Sequence, residues 1–179
     1  MKKKVLTILF PLLVTVFSFI LQSVVVPHLA VAGIAPNLII VSVVSVGILC
    51  GDYAGILSGF AAGLLCDVFF GQYLGFYALI YMLTGYIAGL TGIAMFLEDI
   101  TYPVLMCGAM DFLYGVYCFV FQFLFRNRLI GAFFLRRFLL PEMLYTVLCA
   151  VLMYQMLRFM HRRYLTEKPA GKTAEAYRV

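Results

Sequence analysis

The sequence predicts an all-α membrane protein of six transmembrane helices, and three observations carry that prediction. Hydrophobic residues make up 65% of the 179-residue chain and charged residues only 12%, with a mean hydropathy of +1.05. The apolar residues are gathered into long runs, and the breaks between runs are short and rich in Pro, Gly, Asn and charge. A soluble domain is about a quarter charged, and one core of this size could not hide so much apolar surface from water. Lipid tolerates it, at about 20 apolar residues per helical span. A membrane β-barrel would instead show segments of about ten residues with alternating polarity, and the sequence has no such pattern.

Lys2, Lys3 and Lys4 precede an apolar run from Val5 to Val26. The run is too long for the core of a signal peptide and no small-x-small cleavage site follows, so it reads as a first helix with a cytoplasmic N-terminus. Pro27-His28 is expected to break this helix. Pro36-Asn37 opens a second that runs to about Cys50, short for a span and therefore little tilted or shielded by neighbours. Gly51-Asp52-Tyr53 is expected as a tight turn, with a third helix from Ala54 to about Phe70. Gly71-Gln72-Tyr73 turns the chain into a fourth helix from Gly75 to about Phe96, and Glu98-Asp99 marks a polar loop. A fifth helix covers Pro103 to about Phe125 and a sixth about Leu139 to Phe159. Residues 1–160 thus form one polytopic transmembrane domain, and 161–179 a basic, disordered cytoplasmic tail.

Six spans return both basic ends to the cytoplasmic side. Arg126, Arg128, Arg136 and Arg137 oppose that orientation, because they fall between the fifth and sixth helices on the outer side. Snorkelling to headgroups, or pairing with acids, would reconcile them. The net charge of +5 sits at the chain ends, which suits anionic lipid rather than nucleic acid. Cys50, Cys66, Cys107, Cys118 and Cys149 form no C-x-x-C pair and read as small apolar side chains. No metal-ligand cluster, P-loop, G-x-S-x-G elbow or Ser/His/Asp set is present, so neither an enzyme nor a cofactor is expected.

The most informative stretch runs from Gly51 to Asp67, where Gly51, Gly55, Gly59 and Gly63 recur every four residues. On a helix that spacing makes one stripe without side-chain bulk, against which another backbone can pack closely. Gly85 and Gly89 form a second, shorter stripe. The stripes serve either packing among the chain's own helices or docking of a partner. Three acids fall in or beside spans, where an ionisable group needs a partner or a cavity. Asp67 is expected to be held by backbone N–H groups of the Gly71 turn or by an outer arginine, or else to form a proton or substrate site. Glu142, in the first turn of the sixth helix, suits the helix dipole and could pair with Arg136 or Arg137. Asp111 lies deep in the fifth helix, with Ser42, Ser45, Thr84 and Tyr114 as possible hydrogen-bond partners. Gln22 reads as an interhelical hydrogen-bonder.

The ordered series Pro36-Asn37, then Gly51-Asp52-Tyr53-Ala54-Gly55, Gly59, Gly63 and Asp67, then Gly71-Gln72-Tyr73-Leu74-Gly75 and Gly85-Tyr86-Ile87-Ala88-Gly89, resembles the rod shape-determining MreD family. The likeness covers about residues 36–90, and Pro36, Gly55, Gly59, Gly63, Asp67 and Gly75 match its recurring positions. It implies a non-catalytic inner-membrane scaffold of the bacterial cell-elongation and peptidoglycan-synthesis complex. The implied partners are an MreC-like protein, RodA with a class B penicillin-binding protein, and indirectly the MreB cytoskeleton. It also implies a fold similar to the substrate-binding S components of energy-coupling-factor vitamin transporters, which is the alternative function. S components dock their coupling subunit through small residues on the first helix, and residues 1–29 contain neither Gly nor Ala. A proton- or ion-coupled carrier using Asp67 and Asp111 is a third reading.

Overall fold

The computed structural model describes residues 2–30, 33–71, 73–94, 100–126 and 139–164. Among the described residues the chain is helical, without a β-strand, and folds into six long helices. Helix α1 runs α-helically over Lys2–Ile20, widens into a π-turn over Leu21–Val25, and closes with an α-turn over Val26–Leu29. The others are α2 (Leu38–Cys50), α3 (Asp52–Phe69), α4 (Phe76–Ala94), α5 (Thr101–Arg126) and α6 (Leu140–Tyr164). Four contain stretches long and apolar enough to cross a membrane: Leu9–His28, Asp52–Phe69, Thr101–Phe121 and Leu140–Arg162. Helices α2 and α4 are shorter apolar helices.

Three boundaries differ from expectation. Pro27-His28 does not break α1, because the π-turn just before it has already left the i→i−4 ladder that a proline would interrupt. The connection between α2 and α3 is a single residue, Gly51, whose φ of 92° is costly for any residue with a side chain; Asp52 already belongs to α3. Helix α6 continues through His161, Arg162 and Arg163 to Tyr164, where a disordered tail was expected. The remainder of that tail and the arginines at 128, 136 and 137 lie outside the described residues.

Helix α2 is the axis of the bundle and touches all five others. Ile40, Val41, Val43 and Val44 are fully buried, which explains how a 13-residue helix is accommodated. At 1.5 Å per residue it spans roughly 20 Å, against about 30 Å of hydrocarbon, so its N-terminus opens inside the bundle. There its backbone must be satisfied by protein. Asn37 caps the helix, its Oδ1 accepting from Ile40 N at 3.2 Å. Gln22 of α1 accepts from Leu38 N (2.8 Å) and donates to Pro36 O (3.2 Å), and Thr146 of α6 accepts from Asn37 N (3.0 Å).

The distribution of polarity is that of a protein dissolved in lipid. Leu144, Leu148 and Leu152 make an exposed apolar stripe on α6, the last at 73% exposure. The opposite face buries Thr146, Ala150 and Tyr154. Ser42, Ser45, Ser58 and Thr84 are all buried, each donating to a carbonyl three or four residues back on its own helix.

Gln22→Leu removes both bonds at the open end of α2 and strands the Leu38 N–H and the Pro36 carbonyl. It is expected to destabilise the protein by about 1–2 kcal/mol. Thermal unfolding in detergent micelles checks this against Ser23→Ala, whose hydroxyl bonds only within its own helix; equal Tm values for the two variants would contradict the anchoring role.

Candidate functional site

The α3–α4 seam is the most extensive helix–helix contact of the bundle. It is made by backbone meeting backbone. A Cβ on Gly55 would strike the carbonyl of Gly85, and one on Gly85 would strike that of Gly55. A Cβ on Gly59 would meet the Tyr81 carbonyl, on Gly63 the Ala78 Cα, and on Gly89 the Asp52 Cα. Four of the six stripe glycines expected from the sequence (Gly55, Gly59, Gly63 and Gly85) therefore lie in the middle of this seam, with Gly89 at its end. Gly51 differs, since a Cβ there would meet nothing and its requirement is the backbone angle of the joint. The structure adds Gly47 of α2, whose Cβ would lie 2.8 Å from the Gly85 carbonyl. Its signal was available, because Gly47 continues the four-residue series one step upstream of Gly51.

Asp67, on the last turns of α3, is 3% exposed and holds the start of α4. Its Oδ2 accepts from Gly75 N (2.9 Å) and Ala78 N (3.1 Å), and its Oδ1 from Tyr77 N (2.7 Å). The donors differ from those expected: Gly71 N bonds to the Cys66 and Asp67 carbonyls instead. The reason is geometric, since the first N–H groups of a helix are orphans that point at an anion, and the dipole favours a negative charge there. Gly75 adopts φ 97°, a turn that delivers its N–H to the carboxylate. Pro36 is fully buried at the mouth of α2.

Asp111 is 3% exposed, and its Oδ1 has no hydrogen-bond partner among the described residues. Thr146 of α6 is its polar neighbour, and none of the four expected hydroxyls makes a hydrogen bond to it among the described residues. Ser42, Ser45 and Thr84 are committed to their own helices, and the Tyr114 ring stacks on that of Tyr81. The Thr146 hydroxyl accepts from Asn37 N at the cap of α2. Glu142, one turn earlier on α6, has Asp111 as its electrostatic neighbour. Its suggested pairing with Arg136 or Arg137 falls outside the described residues.

Glu142 also lines a cavity of about 280 Å³ at the end of the bundle where α1 ends and α2, α4 and α6 begin. Gln22 and Asn37 line it too, with three tyrosines. Tyr81 and Tyr114 stack at 5.4 Å with an interplanar angle of 11°, and Tyr77 stands 6.4 Å from Tyr81 and 6.2 Å from Tyr114. These tyrosines come from α4 and α5 and carry no individual signal in an aromatic-rich sequence. No group of three or more His, Cys, Asp or Glu that could hold a metal occurs among the described residues, and the five cysteines are free thiols.

A helical membrane protein with a backbone-to-backbone seam and a capped internal helix start is the class that fold and site define. The comparison with family models agrees and is more specific: the family of the rod shape-determining protein MreD matches residues 2–164. The chain belongs to that family, a family of membrane proteins that determine rod shape. No curated protein sequence and no solved structure matches the chain.

Two substitutions test the geometry. Gly85→Leu must push α3 and α4 apart or unfold their contact, at an expected cost of about 3 kcal/mol or more, whereas Leu148→Val on the exposed face should change stability by less than about 0.5 kcal/mol. Asp67→Ala strands three N–H groups and should cost about 2–4 kcal/mol, with Asp67→Asn intermediate because one acceptor oxygen remains. Denaturant or thermal unfolding of purified variants reads both series, and an Asp67→Ala protein as stable as the parent would refute the capping role.

Proposed function

We propose that this protein is a non-catalytic scaffold of the bacterial cell-elongation complex in the cytoplasmic membrane. In this reading all six helices cross the bilayer, with both termini in the cytoplasm, and the fold is similar to that of energy-coupling-factor S components. Its partners are an MreC-like protein and the RodA–class B penicillin-binding-protein synthase, with the MreB cytoskeleton reached indirectly. The observation that supports it most directly is the family match over residues 2–164, which covers every described helix.

The physical side of the reading is packing. Gly55, Gly59, Gly63, Gly85 and Gly89 bring the α3 and α4 backbones together, and Gly51 (with Gly47) brings α2 against them. The exposed apolar faces of α1 and α6 remain for lipid or for the helices of other subunits. Asp67 serves this block as an internal cap. Its three backbone donors give it a structural task, which weighs against the carrier reading.

In cells that depend on this protein, depletion is expected to turn rods into spheres. Gly59→Leu is expected to fail to restore rod shape although the chain still reaches the membrane. Light microscopy with quantitative membrane immunoblots decides this. Rod-shaped cells carrying Gly59→Leu at normal protein level would overturn the account of the seam. Failure of an MreC-like protein to co-purify from crosslinked membranes would overturn the scaffold assignment.

A further inference from the structure

Helix α6 has two faces. Thr146, Ala150, Tyr154 and Leu157 are buried in the bundle, while Leu148, Leu152 and Phe159 are exposed. Gln155 and Arg162 are exposed on that same outer side. The outer positions 148, 152, 155, 159 and 162 follow one another in steps of four, three, four and three. That alternation averages 3.5 residues, the spacing at which two helices keep one seam in contact while coiling around each other.

Gln155, at the centre of this face, is the member that hydrocarbon does not suit. Its amide carries two N–H donors and an acceptor oxygen, and no hydrogen bond reaches it from a described residue. Thr91 of α4, half-buried, shows the alternative, since its hydroxyl donates back to the Ile87 and Ala88 carbonyls of its own helix. Water is remote from Gln155 as well. It stands seven residues before Arg162, about 10 Å along the helix, and the apolar stretch of α6 continues to Arg162. His161, beside Arg162, packs at 6.2 Å on Phe10, which is itself six residues inward of Lys4 on α1. Arg158, one turn nearer the end, has the long stem by which a charge snorkels to headgroups; a glutamine is shorter and starts deeper. The chain enters α6 at Leu140, about 22 Å before Gln155, and leaves it at Tyr164, about 14 Å after. A bare amide in lipid is costly, and a hydrogen bond to another helix relieves that cost.

We propose that α6 pairs with α6 of a second copy of this chain, Gln155 bonding to Gln155 of the partner subunit at the middle of the seam. Two copies inserted with one orientation present α6 in parallel, so a two-fold axis along the membrane normal sets each residue opposite itself at the same depth. An amide suits that position because it both donates and accepts, and each copy satisfies the other. Leu148, Leu152 and Phe159 close the seam on either side, and one polar residue in an apolar heptad fixes register and partner number. Arg162 meets its copy at the outer end, where water and ions screen the repulsion. Such a pair needs α6 to cross the bilayer but no other member of the elongation complex, so purified protein tests it separately from the scaffold reading.

The full chain, carrying a donor or an acceptor fluorescent protein at its C-terminus, is reconstituted in phosphatidylcholine–phosphatidylglycerol vesicles over a range of protein-to-lipid ratios. Energy transfer should rise with protein density along a monomer–dimer isotherm. Gln155→Leu should raise the dissociation constant about tenfold, with Gln155→Asn in between. In detergent, at monomeric dilution, Gln155→Leu should keep the Tm of the parent, because the amide has no bond within its own chain. A photo-crosslinking amino acid in place of Leu152 should capture a second copy, and one in place of Leu13, exposed on α1, should not. The proposal is overturned if the wild type stays monomeric at every density, as it would if lipid or another protein's helix covers this face. It is also overturned if Gln155→Leu associates as tightly as the parent, or if it lowers the Tm of the monomer. Should Gln155→Leu not insert, the crosslinks decide alone: no capture at position 152, or equal capture at both positions, rejects the pair.

Discussion

The bundle depends on one contact, the approach of the α3 and α4 backbones along Gly55, Gly59, Gly63 and Gly85. In lipid there is no hydrophobic force to press helices together, because the tails of the bilayer are as apolar as leucine. What remains is dispersion and weak Cα–H···O contact, both of which act only at short range. Removing side chains along a four-residue stripe is the way a helix can offer that range over its whole length. Helix α2 then lies against the pair through Gly47, and the single-residue joint at Gly51 keeps α2 and α3 in register.

A tight seam imposes a second requirement at its ends. The last turns of α3 and the first turn of α4 meet where backbone groups would otherwise be orphaned, and Asp67 answers three of them at once. The start of α2 is treated similarly by Asn37, Gln22 and Thr146, contributed by three different segments. Asp67, Asn37, Gln22 and Thr146 are therefore joints at helix ends in a medium without water, whereas the buried Ser and Thr hydroxyls bond along their own helices. Asp111 stands outside that pattern, since its buried Oδ1 has no hydrogen-bond partner among the described residues.

The family assignment and the physics support each other at different levels. Membership in the MreD family places the chain among membrane proteins that determine rod shape. The backbone-to-backbone seam and the apolar outer faces are those of a helical block embedded in lipid. An apolar core together with a leucine-rich exterior explains why composition alone separated this chain so sharply from soluble folds.

Solvent class, helix number, most helix limits and the glycine stripes were determined by the sequence itself, because each depends on local composition or on spacing along one helix. Gly55 and Gly85 could be named as packing positions from periodicity alone, but that each faces the other's carbonyl could not. The misplaced features were those that a second segment decides. Pro27 stays helical because a π-turn precedes it, and Gly51 is a joint because the two helices it links turn sharply. Asp67 bonds to Gly75, Tyr77 and Ala78, since only folding brings the start of α4 to it, and Asp111 meets Thr146, 35 residues away in sequence. The tyrosine-lined cavity is likewise a product of tertiary structure alone. Burial, capping and enclosure are relations between segments, whereas periodicity and composition belong to one segment at a time.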